Sequence, residues 1–161
     1  LHVRSRRQRQ MCIRDSPYSR ARSARDGNLT LGLGEGLAFR AATDSEGRPL
    51  RADCTYRVEG PIPLARLYTL TAYRPDGQLA LPRQSDRPGV LVSSRLMRDD
   101  ANAAPIVASA VAQPGNWLSL PGDGGPVVLA LSLYDTPASS SAGTDRLALP
   151  TIDRAGCTGR G

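Results

Sequence analysis

Chemistry in this chain has to be sought first among its carboxylates. Asp53, Glu59, Asp76, Asp99, Asp100 and Asp123 are the acids that a fold could bring into pairs. Two carboxyl groups about 5–10 Å apart would supply the acid and the nucleophile or base of a glycoside hydrolase. Most of the six fall in turns or on polar strand faces, where solvation or backbone capping is the ordinary role. The second candidate is Asn116-Trp117, which follows Pro114-Gly115 in a segment that reads as lying between strands. An indole there can stack on a sugar or another small ligand at a pocket mouth while the amide donates hydrogen bonds. The competing role is structural, with Trp117 plugging the end of a β-sandwich and Asn116 bonding loop backbone. Tyr134 is the third candidate ligand contact, although Tyr56, Tyr68, Tyr73 and Tyr134 all occupy positions where packing on a strand face is the commoner use.

Several chemistries are excluded by what is missing. All 21 basic residues of the 161 are Arg, and the single His is His2. Without Lys there is no Schiff base and no phosphate-binding Lys of a P-loop. Gly122-Asp123-Gly124-Gly125 is therefore a turn rather than a phosphate cradle. The formal charge of +6 suggests a nucleic-acid partner until its source is traced. Met11-Cys12-Ile13-Arg14-Asp15-Ser16 is one reading frame of a transposase mosaic-end sequencing adapter, ATG TGT ATA AGA GAC AG. Arg6-Arg7-Gln8-Arg9-Gln10 continues that frame upstream as CGT CGG CAG CGT CAG, and Leu1-His2 fits the flow-cell end. Residues 1–16 are accordingly expected to be a non-native, disordered tail and are set aside from fold reasoning.

Without that tail, five Arg and one Asp drop out, leaving 16 basic and 14 acidic residues, a net of +2. The only His goes with it, so neither a Ser-His-Asp arrangement nor a His-based metal site can be built. The charges are scattered singly, with no basic stripe for nucleic acid. No apolar run approaches the length of a membrane span. The expectation is a domain with no cofactor, metal or nucleic-acid partner, attached to a membrane only through an anchor upstream of what the chain retains. Cys54 and Cys157 are the two thiols left. At that spacing they suggest one disulfide formed in an oxidising compartment, worth up to ~4.7 kcal/mol in the chain-entropy picture. The alternative is a small buried residue at 54 and a stray thiol at 157.

The elements that must position these residues are mostly strands. Pro17 to Arg25, with Gly27 beyond its end, reads as one short helix. Leu37, Phe39 and Ala41 form one face of a strand. Asp44-Ser45-Glu46-Gly47 is a turn, and Ala52, Cys54, Tyr56 and Val58 alternate with polar residues. The two strands are expected to make a hairpin. Ala65–Tyr73 is a strand closed by Arg74-Pro75-Asp76-Gly77 as a type I turn, with a return at Leu79–Leu81. Val90–Met97 and Ile106–Val111 are strands divided by the turn at 98–102. Val127–Tyr134 is apolar on both faces and is placed centrally in a sheet. Residues 137–145 form a flexible linker, and 147–157 a last extended segment. The fold class expected is all-β, an antiparallel jelly-roll-like β-sandwich with one short N-terminal helix. The domain spans 17–157, truncated at its N-terminus, with 158–161 as a tail.

Four stretches carry a family resemblance. They are Pro17-Tyr18-Ser19-Arg20-Ala21 with Leu31-Gly32-Leu33; Cys54-Thr55-Tyr56-Arg57-Val58-Glu59-Gly60-Pro61; Ala65 to Tyr73 followed by Asp76-Gly77; and Pro114-Gly115-Asn116-Trp117-Leu118 with Val127 to Pro137. Together they resemble the bacterial family called domain of unknown function 1214, in its short exported form. Longer members join this domain to a partner numbered 1254. The resemblance implies a jelly-roll-like sandwich and an exported envelope protein, often membrane-anchored. It implies no reaction. The function expected is thus a periplasmic or envelope module that binds a small molecule, glycan or protein partner without catalysis. The alternatives are a carboxylate-based hydrolase of envelope polysaccharide and a purely structural interaction domain.

Overall fold

A computed structural model describes residues 36–82, 88–100, 102–137 and 147–158. The expected helix at 17–25, the adapter-like tail and most of the 137–145 linker lie outside the described residues. Eight strands are present among those described: β1 (Gly36–Ala41), β2 (Cys54–Glu59), β3 (Leu67–Tyr73), β4 (Val90–Val92), β5 (Ile106–Ser109), β6 (Asn116–Ser119), β7 (Val128–Tyr134) and β8 (Thr151–Cys157). They form two four-stranded sheets, ordered β1-β7-β3-β4 and β6-β5-β2-β8. Every pairing is antiparallel except β5 with β6, which is parallel. The chain is an all-β sandwich.

The alternation in sequence decides what each sheet buries. Cys54, Tyr56 and Val58 of β2 point inward while Arg57 and Glu59 are exposed. From the opposite sheet Leu70 and Ala72 of β3 and Leu129, Leu131 and Leu133 of β7 meet them in one core. Tyr56 is fully buried, and its hydroxyl accepts the Arg51 amide at 2.7 Å, so its polar end is satisfied inside the core. Strand β7 does lie centrally, between β1 and β3, and Ala130 on its second face is buried as well. The turn after β3 closes as expected, with the Gly77 amide donating to the Arg74 carbonyl at 2.9 Å.

Two expected elements come out differently. The turn at 44–47 forms, yet β1 and β2 do not make a hairpin. Pairing is confined to the bridge Thr43 with Pro49 and the Leu50 amide on the Ala42 carbonyl. Beyond it the chain crosses to the other sheet: β1 pairs with β7, and β2 with β5 and β8. The corner is a sheet switch, a connection that alternation alone does not distinguish from a hairpin. The strand expected over Val90–Met97 is only three residues long and gives way to a 3₁₀ turn at Ser93–Arg95.

Strand β8 is fastened by both covalent and polar links. Cys54 and Cys157 stand opposite each other in the β2–β8 register and are joined by a disulfide that closes a separation of 103 residues. The Ser45 hydroxyl and amide both reach the Ile152 carbonyl, at 2.9 and 2.8 Å. Asp44, whose side chain is wholly buried, lies 2.9 Å from Arg48 and 3.1 Å from Arg154. Arg154 in turn lies over the Tyr56 ring, 5.6 Å from its centroid.

Candidate ligand-binding site

Asn116 and Trp117 are not in a loop but open the edge strand β6. The reading between strands fails because the β-pairing of 116–119 is parallel, with β5, and a parallel pair leaves no hairpin signature in the sequence. On β6, Leu118 enters the core, so Trp117 stands on the other face and is half-buried. Its indole N–H donates to the Ser109 carbonyl at 2.9 Å. That bond commits the indole donor and pins the ring against the end of β5.

Asn116 is committed to the frame. Its side-chain oxygen accepts the Met97 amide at 2.7 Å, and its amide nitrogen donates to the carbonyls of Met97 at 2.7 Å and Pro105 at 3.0 Å. Three polar contacts on a buried residue make it a strut for loop backbone rather than a hand held out to a ligand. At the far end of β6, the Ser119 amide donates to the Pro88 carbonyl at 2.9 Å. Segment 88–97 is thereby tied to β6 at both ends, along the seam where the edge strands of the two sheets meet.

Between these two ties lies a groove of about 390 Å³. Val90, Leu91, Leu96 and Met97 form its apolar wall together with Trp117. Arg95 and Gln113 contribute polar groups, and no carboxylate is among its lining residues that are described. Its size is in the range of small-molecule sites, and the mix of apolar wall with few polar groups is their usual make-up. Val90 is 42% exposed and Met97 60%, which leaves apolar surface open at its rim.

Tyr134, the third expected contact, is not brought to Trp117. It ends β7 in the other sheet, opposite Gly36 and Leu67, and does not line this groove. Its position in the alternation of β7 turns it away from the core and from β6. A slot of about 100 Å³ opens between the sheets, lined by Phe39, Val58, Leu129 and Ile152 among others.

Four of the six candidate acids are engaged elsewhere, and Glu59 and Asp100 are exposed. Asp53 takes both guanidinium bonds of Arg51 at 2.9 Å, which hold its carboxyl below the usual range against the opposing effect of burial. Asp123 pairs with Arg74 in the same way, with the same direction of shift. Asp76 accepts the Gln78 amide and Asp99 the Ala103 amide, both as turn caps. The segment 122–125 is a turn, with Gly122 and Gly124 each at φ 71°. The most deeply buried acid among the described residues is Asp44, which the sequence places in a turn and not among the candidate acids. Its partner Arg48 is close in sequence, but Arg154 lies in β8 and only folding brings it near. Burial pushes the Asp44 carboxyl up, but bonds from the Arg48 amide and guanidinium, with Arg154 nearby, outweigh it and leave the group lowered. Among the described residues no group of three or more His, Cys, Asp or Glu is placed to hold a metal ion, and no helix is long and apolar enough to cross a membrane.

These features define a two-sheet β-sandwich with a tryptophan-lined groove on the seam between two edge strands. Residues 35–138 match the family described as protein of unknown function DUF1214, and the chain belongs to that family. The crystal structure of the VPA0106 protein from Vibrio parahaemolyticus is similar, with a TM-score of 0.65 at 21% identity. The match covers 87% of this chain and 36% of that one, so the chain spans about a third of its solved relative. An uncharacterised protein from Burkholderia cenocepacia matches with a TM-score of 0.47 at 18% identity, over 87% of this chain and 43% of its own. No curated protein matches the chain.

Proposed function

We propose that this protein is a non-catalytic binding module, exported to the periplasm or cell envelope, that holds a glycan or similar small molecule against Trp117. The observation that carries the reading is the groove on the β4–β6 seam. It offers a pinned aromatic ring, a guanidinium and an amide, and no carboxylate among its described lining residues. A sugar has C–H faces that suit an aromatic ring and hydroxyls that suit Arg95 and Gln113. The rival reading as a hydrolase loses ground because Asp53 and Asp123 are each paired with an arginine and Asp76 and Asp99 cap turns. Export is supported by the Cys54–Cys157 disulfide, since such bonds persist in oxidising compartments.

Trp117 is the only tryptophan, so intrinsic fluorescence reports on this groove directly. Oligosaccharides from bacterial envelopes, titrated into the oxidised protein, should shift its emission. Trp117→Ala should fold, and binding followed by calorimetry should weaken about 30-fold or more, the cost of truncating an anchor residue. A glycan collection that leaves the emission unmoved, or one that is cleaved during the titration, would refute the reading.

A further inference from the structure

A second and larger cavity lies on the other side of the strut made by Asn116. It measures about 610 Å³ and sits between the segment 60–65 and the loop 98–104. Met97 and Pro105, both held by Asn116, bracket that loop, so one side chain fixes the wall between the two concavities.

Three features of this cavity point to a ligand. The first is Arg98. One of its terminal nitrogens donates to the Asn102 carbonyl at 3.0 Å, and it forms no ion pair among the described residues. Asn102 holds φ at 61°, a left-handed conformation that Asn tolerates better than most residues, and this aims its carbonyl at the guanidinium. The fork is thus steadied at one corner, and the rest of it stays open to solvent. The second is Tyr68, a buried residue of β3 that lines the same cavity. Its hydroxyl has no hydrogen-bond partner among the described residues, whereas that of Tyr56 is satisfied by Arg51. A phenol is a proton donor at neutral pH, and burial pushes that of Tyr68 further up. The third is the remainder of the lining. Ile62, Leu64, Ala103 and Ala104 are apolar, Leu64 is 78% exposed, and none of the described lining residues is an acid, Asp99 and Asp100 of the same loop not being among them.

A guanidinium fork suits a planar carboxylate, and a phenol can add a further donor. We infer that this cavity binds a small organic carboxylate, its anionic head on Arg98 and Tyr68 and its apolar body against Ile62, Leu64, Ala103 and Ala104. The site is separate from the Trp117 groove and stands whether or not that groove binds a glycan.

Benzoate tests the inference, with benzamide as its neutral counterpart, both followed by amide chemical shifts of the oxidised protein. Benzoate should move the amides of Ala65, Ala103 and Ala104, and benzamide should not. Arg98→Gln, at an exposed position, and Tyr68→Phe, which keeps the ring, should each weaken benzoate binding about tenfold or more. Trp117→Ala should leave it unchanged. The inference is overturned if benzoate moves no amide near the cavity at tens of millimolar, if benzamide binds equally well, or if Arg98→Gln folds and binds benzoate as before.

Discussion

At the scale of single residues, the charged groups of this protein are chiefly fastenings. Asp44, Asp53 and Asp123 each hold an arginine and each has its carboxyl lowered in the folded state. A lowered folded value means the unfolded chain binds protons more readily. The three therefore contribute stability above the ordinary carboxylate value of about 3.9, and it is lost as pH falls through their folded values. Melting temperature should be nearly flat from neutral pH to about 5 and drop below about 4. In Asp53→Asn and Asp123→Asn the neutral-pH melting temperature should fall and the acid drop should shrink. An acid drop as steep as that of the parent would show that these pairs are not its source. The candidate residues divide on similar grounds. Asn116 stood out as a possible donor, yet its partners Met97 and Pro105 are backbone groups, and nothing local in the sequence marks which backbone an Asn will meet.

At the scale of elements, β8 shows how an exposed strand is kept in place. Its seven residues are exposed or half-exposed, so apolar burial contributes little to holding it. The disulfide, the Ser45 contacts with Ile152 and the Asp44–Arg154 pair make up for that. Replacing both cysteines by serine should cost about 2–5 kcal/mol in urea unfolding. Local hydrogen exchange should rise first along 151–157 and in the facing residues of β2. Uniform exchange across the molecule in that variant would mean that β8 is held without its covalent link. The pairing of Cys54 with Cys157 was readable because only two thiols remain once the adapter-like tail is set aside. The sheet switch between β1 and β2 was not, since a turn with strands on both sides reads alike whether the strands pair or diverge.

At the scale of the whole molecule, two sheets close over one apolar core and leave their seams unequal. The β4–β6 seam is laced by Asn116 and by the Ser119–Pro88 bond, and both larger cavities adjoin that lacing. Leu133 lies at the centre of the core and is fully buried. Leu133→Ala should cost about 2–5 kcal/mol, whereas Trp117→Ala, outside the core, should cost distinctly less. Urea unfolding of the two variants measures the difference. Equal losses would make Trp117 a core residue and remove it from the site.

The sequence alone settled the fold class, the inward faces of β2 and β7 and the Arg74–Gly77 turn, and it pointed to the one disulfide that the structure contains. These rest on period-two alternation, on turn chemistry and on a count of thiols, all of them local or compositional. Tertiary structure alone decided which sheet each strand joins, that Asn116-Trp117 forms an edge strand, and that Tyr134 stands apart from it. It alone set Tyr68 beside Arg98 and Asp44 beside Arg154. A cavity is the space between segments far apart in the chain, and only packing of the two sheets brings its walls together.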